Sequence, residues 1–342
     1  MATLPKTQAN RLRPSVADVA RLAGVGTTTV SRVMNGSALV TGETRERVLD
    51  AVRVLGYVPN VNARKFRTGR TRTVSLILPM HGTDFYTQLV DGLDSVLDDA
   101  GYDLALFPLL TPKRLERYLN GSALPYQADA VLLASLDPAR LFPTGRVPTD
   151  LPVVLADMAS PFYSSLAVDN HLGGRMAADR LGARPAETFV IQVEEWSDTP
   201  FSSGVFRQRL DGFRSGLDGS GAALPDANVV TVEFSWGGGR VAMADILARA
   251  RPPINVFASC DLMAIGALDE VLHAGLSIGE DVRIIGFDDT PWAAERDLTT
   301  IRQPIEELGR ATAEEVIKRI ETNSEGREHR TFAPTLQCRG SA

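Results

Sequence analysis

The sequence predicts a mixed α/β protein: an all-α head with a helix-turn-helix and a short hinge helix, then a body of two parallel α/β subdomains. Three observations predict it. Residues 15–36 read SVADVARLAGVGTTTVSRVMNG, two short amphipathic stretches joined by a glycine turn. From Val74 onward, short apolar runs alternate with helical stretches, the rhythm of βαβ units. Charge divides the same way: residues 1–72 carry 13 Lys/Arg against 4 Asp/Glu, while the remainder carries 23 against 38. A basic head on an acidic body points to a polyanion partner for the head alone.

At 342 residues the chain can hold two or three domains with real cores. No apolar run reaches membrane-spanning length. Met1–Arg13 is polar, lacks the apolar block of a signal peptide, and reads with Pro14 as a disordered arm over 1–14. Only Cys260 and Cys338 are present, which makes no disulfide framework. These features predict a cytoplasmic protein with no membrane partner.

The head spans 15–59. Ser15 and Asp18 form a candidate capping box, with Val16, Val19, Ala20 and Ala23 as the apolar stripe of the first helix. Gly24 ends that helix and Gly26 stands at the cap of the second. Val30 and Val33 face inward, and Thr27, Thr28, Ser31 and Arg32 outward. A third helix is predicted from a cap near Thr41, with Val48, Leu49, Val52 and Leu55 inward and Gly56 as its stop.

A helix that reads DNA must approach base edges closely, and small residues at its start allow that. The Thr hydroxyls can reach bases or phosphates. Arg32, one turn on, can bond guanine O6 and N7 with both prongs of its fork; a phosphate contact is the alternative. The segment 60–73 then reads as a hinge: Asn60 caps a helix from Val61 to about Arg67, and Gly69 gives the exit. That helix is too short to be stable alone in water. Basic residues flank Phe66, the composition of an element that forms on DNA and wedges a minor-groove step. A basic linker with Phe66 packed on the next domain is the alternative.

In the body, strands are predicted at 74–78, 104–107, 130–133, 153–155, 189–191, 229–232, 255–258 and 283–286. Helices are predicted at 86–100, 171–181, 205–217, 240–250, 262–273 and 305–320. Two parallel sheets face to face form a cleft at the carboxyl ends of their strands. Asp157, Cys260 with Asp261, and Asp288 with Asp289 all follow predicted strands, and Arg209 sits on a helix. Carboxylates and a guanidinium fork suit vicinal hydroxyls. Asp261 and Asp289 read as helix and turn caps, Arg209 and Asp288 as ligand contacts. Trp196, Trp236 and Trp292 read as loop residues, one of which could stack on a sugar face.

The runs Val16-Ala-Asp-Val-Ala, Ala23-Gly-Val, Thr29-Val-Ser-Arg-Val-Met-Asn35, Gly56-Tyr-Val-Pro-Asn60 and Ala63-Arg64 resemble the lactose-repressor (LacI/GalR) family of bacterial regulators. The resemblance implies a periplasmic-binding-protein-like body over 74–342. Its N-subdomain would take about 74–168 and 304–332, its C-subdomain about 169–303 and 333–342, with three crossovers. It places DNA contacts on Thr27, Thr28, Thr29, Ser31, Arg32, Asn35, Asn60, Ala63, Arg64 and Phe66. It places ligand contacts on Asp157, Arg209, Cys260, Asp288 and Gln303. Three positions depart from the family pattern. Phe66 replaces the usual hinge leucine, Gly26 the usual Ser cap, and Cys260 the Asn common in sugar-binding relatives. A thiol is a poor hydrogen-bond partner, so Cys260 reads equally as a contact or a buried inert thiol.

There is no P-loop, HExxH, CxxC pair or G-x-S-x-G, and the four histidines show no metal spacing. No cofactor and no enzymatic activity are expected. The expected function is a dimeric, operator-binding transcription regulator, a repressor, controlled by a carbohydrate-like effector in the cleft. The alternatives are a non-sugar co-repressor such as a nucleobase, a transport-type binding protein, and a sugar-modifying enzyme fused to a DNA-binding head. With no heptad extension at the end of the sequence, a dimer through the body is expected rather than a tail-tethered tetramer.

Overall fold

The computed structural model describes residues 14–34, 39–57, 70–79, 82–109, 113–114, 128–142, 144–193, 203–219, 221–322 and 326–342. The chain divides into two compact units, Met1–Thr71 and Arg72–Ala342.

In the first unit, α1 (Val16–Ala23), α2 (Thr27–Met34) and α3 (Gly42–Leu55) pack around a small core of Val19, Ala20, Ala23, Val30, Val33, Val48 and Ala51. The capping box forms: the Asp18 N–H donates to Ser15 Oγ at 3.3 Å, and the Ser15 N–H donates to Asp18 Oδ2 at 2.9 Å. Gly24 closes α1 at φ +65°, a left-handed conformation that only glycine adopts without steric cost. Two expectations are corrected here. Val16 is 36% exposed, because the box places it on the outer side of the first turn, and Leu49 is 42% exposed. Ala51 is buried instead of Leu49. Val48 and Ala51 are three apart and share a helix face, whereas Leu49 is rotated by about 100° from Val48. Thr41 stands at the N-cap of α3, but its Oγ1 donates to Thr44 Oγ1 rather than accepting from the backbone.

The second unit holds two six-stranded sheets. One contains β1 (Thr73–Leu78), β2 (Asp103–Pro108), β3 (Ala130–Ala134), β4 (Val153–Ala156), β5 (Ser164–Val168) and β11 (His329–Phe332), in the order β11-β5-β4-β3-β1-β2. All its neighbours pair in parallel. The other contains β6 (Glu187–Val193), β7 (Val229–Val232), β8 (Ile254–Ala258), β9 (Val282–Asp288), β10 (Thr299–Arg302) and β12 (Thr335–Gln337), in the order β12-β10-β9-β8-β6-β7. Only the β10–β12 pair in that sheet is antiparallel. The chain crosses between the sheets after β5, after β10 and after β11.

Helices cover the sheets: α4 (Asp84–Asp99), α5 (Pro138–Leu141), α6 (Asn170–Gly182), α7 (Val205–Gly219), α8 (Trp236–Arg249), α9 (Asp261–His273), α10 (Pro291–Glu295) and α11 (Ile305–Thr322). Several start earlier than the apolar periodicity indicates, because a polar cap precedes the stripe. Thr83 Oγ1 accepts from the Tyr86 N–H, and Ser235 Oγ accepts from the Gly238 N–H at 2.9 Å. Trp236 and Trp292 therefore lie in the first turns of α8 and α10, not in loops. Trp236 Nε1 is bonded to Asp269, while Trp196 lies outside the described residues. Gly237–Gly239 likewise belong to the first turn of α8.

The pair α6/α7 approaches closely enough to position a site residue. A Cβ on Gly174 would sit 2.0 Å from the Arg209 carbonyl oxygen. Among the described residues, no helix is long and apolar enough to cross a membrane. Both Cys260, buried, and Cys338, exposed, are free thiols.

Candidate functional site

Two regions carry the candidate chemistry. On α2, Val30 and Val33 anchor the helix in the head core, while Thr27, Thr28 and Arg32 are exposed and Thr29 and Ser31 half-buried. Without a side-chain cap, the first turn is closed by the Gly26 carbonyl, which accepts from the N–H groups of Thr29 at 2.9 Å and Val30 at 3.1 Å. The result is a short face of small hydroxyl residues with the exposed guanidinium of Arg32 a turn further on. Asn35, Asn60, Ala63, Arg64 and Phe66 lie outside the described residues.

The second region gathers at the carboxyl ends of the body strands, where side chains from several loops converge as they do in open α/β sheets. Arg209, only 4% exposed, is its centre. Its Nε donates to Asn170 Oδ1 at 2.8 Å, and one terminal nitrogen donates to the Ser259 carbonyl at 2.7 Å and to Asp288 Oδ1 at 3.4 Å. The guanidinium lies 3.7 Å from the centre of the Phe287 ring, a cation–π contact. Gln303 Nε2 donates to the same Asp288 oxygen at 2.7 Å. Arg209, Asp288 and Gln303 thus form one hydrogen-bonded cluster. Beside Asp288 and Gln303 opens a cavity of about 370 Å³ that also reaches Gln88 on α4, Asp289, Thr290 and Arg302.

Asp157 lies opposite, after β4, with Ser135 Oγ donating to its Oδ2 at 2.7 Å. Its φ is +56°, and Asp288 stands at φ +123°. The second value is far from the left-handed well that Asp tolerates, and such strain collects at functional sites. Burial pushes the Asp157 carboxyl up to about 6 against the opposing pull of Ser135 and Arg209. Burial likewise raises Asp288, with Arg209 and Gln303 holding it back.

Cys260 is nearby in sequence but packs differently. It is 1% exposed and belongs to the apolar cluster beneath α8 and α9, together with Ile191, Ala258 and Met263. Burial raises its thiol further from ionisation. Asp261 and Asp289 are held by bonds within the fold, but through distant partners and not as helix caps. Asp261 accepts from the Thr290 N–H at 2.8 Å and from Thr300 Oγ1 at 2.6 Å; Asp289 pairs with Arg302 and Arg339.

Four residues of the cluster escape the sequence reading: Ser135, Asn170, Ser259 and Phe287. Ser135 and Ser259 each follow a strand that the apolar runs reveal, so position alone could have found them. Asn170 follows β5, whose Ser-Ser-Leu-Ala-Val run shows too little apolar character to stand out.

Comparison with known proteins finds matches to both parts of the chain. Residues 15–60 match the model of bacterial regulatory proteins of the lacI family, and residues 197–342 match a periplasmic binding protein-like domain. The ribose operon repressor of Escherichia coli (strain K12) is 33% identical over 334 residues, covering 95% of this chain and 98% of that protein. The HTH-type transcriptional regulator CelR of Thermobifida fusca is 35% identical over 327 residues, covering 91% and 93%. A solved transcriptional regulator CelR–cellobiose complex superimposes with a TM-score of 0.70 at 32% identity, covering 96% of this chain and 100% of the other. The chain belongs to the lacI family of bacterial regulatory proteins.

Proposed function

We propose that this protein is a transcription repressor that binds a pseudo-palindromic operator as a dimer and answers to a carbohydrate in the body cleft. The observation that carries the reading is the pairing of an exposed Thr27/Thr28/Arg32 face on a basic head with a buried Arg209–Asp288–Gln303 cluster at the strand ends. The first suits the major groove. The second offers a charged donor and carboxylate acceptors to vicinal hydroxyls.

Arg32 reads a base edge, and Phe66, on its sequence pattern, opens a central minor-groove step. Asp157 contributes from the first sheet while Arg209, Asp288 and Gln303 contribute from the second. A ligand that bridges them favours one angle between the subdomains. It changes operator affinity only by its differential preference for the two states. That ribose and cellobiose appear in the names of relatives supports a sugar as the effector class.

Selection of the full-length protein against a pool of randomised duplexes tests the DNA half. Recovery of an inverted repeat whose half-sites lie about one helical turn apart is expected. Recovery of no common sequence would overturn it.

A further inference from the structure

Six buried side-chain polar atoms in the body find no hydrogen-bond partner among the described residues; Tyr102 Oη and Asn255 Oδ1 stand at the amino ends of β2 and β8, and the other four stand at the carboxyl ends of strands. They are Asp157 Oδ1, Gln192 Oε1, Ser259 Oγ and Gln303 Oε1. Asp157 and Gln303 belong to the cluster described above. Gln192 and the Ser259 hydroxyl take no part in its bonds, although the Ser259 carbonyl does, and the sheet register puts the two residues side by side. Ile191 pairs with Ala258, and the Ser259 N–H donates to the Ile191 carbonyl at 2.9 Å.

The strand pleat decides their direction. Ile191 and Ala258 point to the cluster under α8 and α9, whereas Val190 and Phe257 point to the one under α6 and α7. Gln192 and Ser259, one residue further along, share the α6–α7 side. That is the side of Phe287, against which Arg209 stacks, and Arg209 already bonds the Ser259 carbonyl.

An unmatched buried acceptor weakens the free protein, since it has given up water and gained nothing. Four of them in one region mark a place that a donor-bearing molecule completes. The charge balance narrows the molecule further. Arg209 is already engaged through its Nε and one terminal nitrogen, and it faces two carboxylates, Asp157 and Asp288. Arg302 and Arg339, the other cations at the adjoining cavity, are paired with Asp289. An anionic ligand would therefore meet carboxylates and unpaired acceptor oxygens, and little uncommitted positive charge.

We infer that Gln192 and Ser259 extend the effector site one layer deeper, and that the completed site takes an uncharged, hydroxyl-rich ligand and rejects phosphorylated or carboxylated counterparts. This rests on the carbohydrate reading above. Each ligand hydroxyl donates to one of the unmatched acceptors, and Arg209 supplies the matching donor for a ligand oxygen.

Calorimetric titration of the full-length protein provides the test. The probes are ribose, glucose and cellobiose, set beside ribose 5-phosphate, glucose 6-phosphate and glucuronate, with adenine and guanine as non-sugar controls. An uncharged sugar is expected to bind, with its charged counterpart weaker by about 100-fold. Gln192→Leu and Ser259→Ala should each weaken that sugar by about tenfold while leaving the unliganded melting temperature unchanged or raised. A charged sugar that binds as tightly would overturn the charge selection while the carbohydrate reading stands. Unchanged affinity in both variants would remove the deeper layer from the site. Binding of a purine base alone, or of no probe, would overturn the carbohydrate reading and this inference with it.

Discussion

The head and the cleft dispose their polar groups in opposite ways. On α2 the hydroxyls of Thr27 and Thr28 and the guanidinium of Arg32 stand in solvent, with the apolar side of the helix buried beneath them. At the strand ends of the body, Arg209, Asp157 and Gln303 are each less than 5% exposed, and Asp157 Oδ1 and Gln303 Oε1 lack partners among the described residues. A solvated face loses little by waiting for a large polyanion, and its partner supplies the counter-charges. A buried, incompletely bonded cluster is a standing demand for a small molecule that fits it. In the proposed function the difference separates address from control: the outer face is assigned the choice of DNA, and the buried cluster the timing.

The comparison can be broken at several points. Arg209→Ala has the largest expected effect. It removes the donor to Asn170, Ser259 and Asp288 and leaves buried carboxylates without their cation. Urea denaturation should show the body weakened by about 3–5 kcal/mol. A loss under about 1 kcal/mol would show that the cluster is more hydrated than its burial indicates.

Arg32→Ala should act the other way round. Body stability stays the same, while discrimination at one operator position falls by about 1–3 kcal/mol. Binding that weakens equally for all sequences would reassign Arg32 to a phosphate.

The third test uses protons. Asp157 ionises near pH 6 in the folded protein but near its ordinary 3.8 when unfolded. The folded state therefore holds an extra proton between those values, and stability falls as pH rises through that window, by about 3 kcal/mol at most. Asp157→Asn should flatten this slope in thermal melts from pH 4 to 7. A slope unaltered by the substitution would place the titrating group elsewhere.

Local chemistry was the legible part of this chain. The Ser15–Asp18 box, the glycine stops at 24 and 56 and the valine spacing of α2 act between near neighbours, so a short window contains all their causes. The long apolar strands were legible for the same reason. Strands β5, β10, β11 and β12, reading SSLAV, TTIR, HRTF and TLQ, gain their place from flanking strands and not from apolar runs. Leu49 was misplaced because a one-residue error on a helix rotates a side chain from core to solvent.

In the cleft, Arg209 and Asp288 stood out by residue type and position, but their mutual bond spans 79 positions. Asn170 joins Arg209 across 39 positions, and Gln192 comes beside Ser259 only once the sheet register is known.

The claim that a buried cluster controls an exposed reader is tested most directly with Asp288→Ala. Operator affinity is measured by fluorescence anisotropy on a duplex recovered by selection, with and without the sugar that binds the unmodified protein. Affinity for DNA in the absence of sugar should match the unmodified protein, and the sugar-induced change should vanish. A full response to sugar in the variant would contradict the claim.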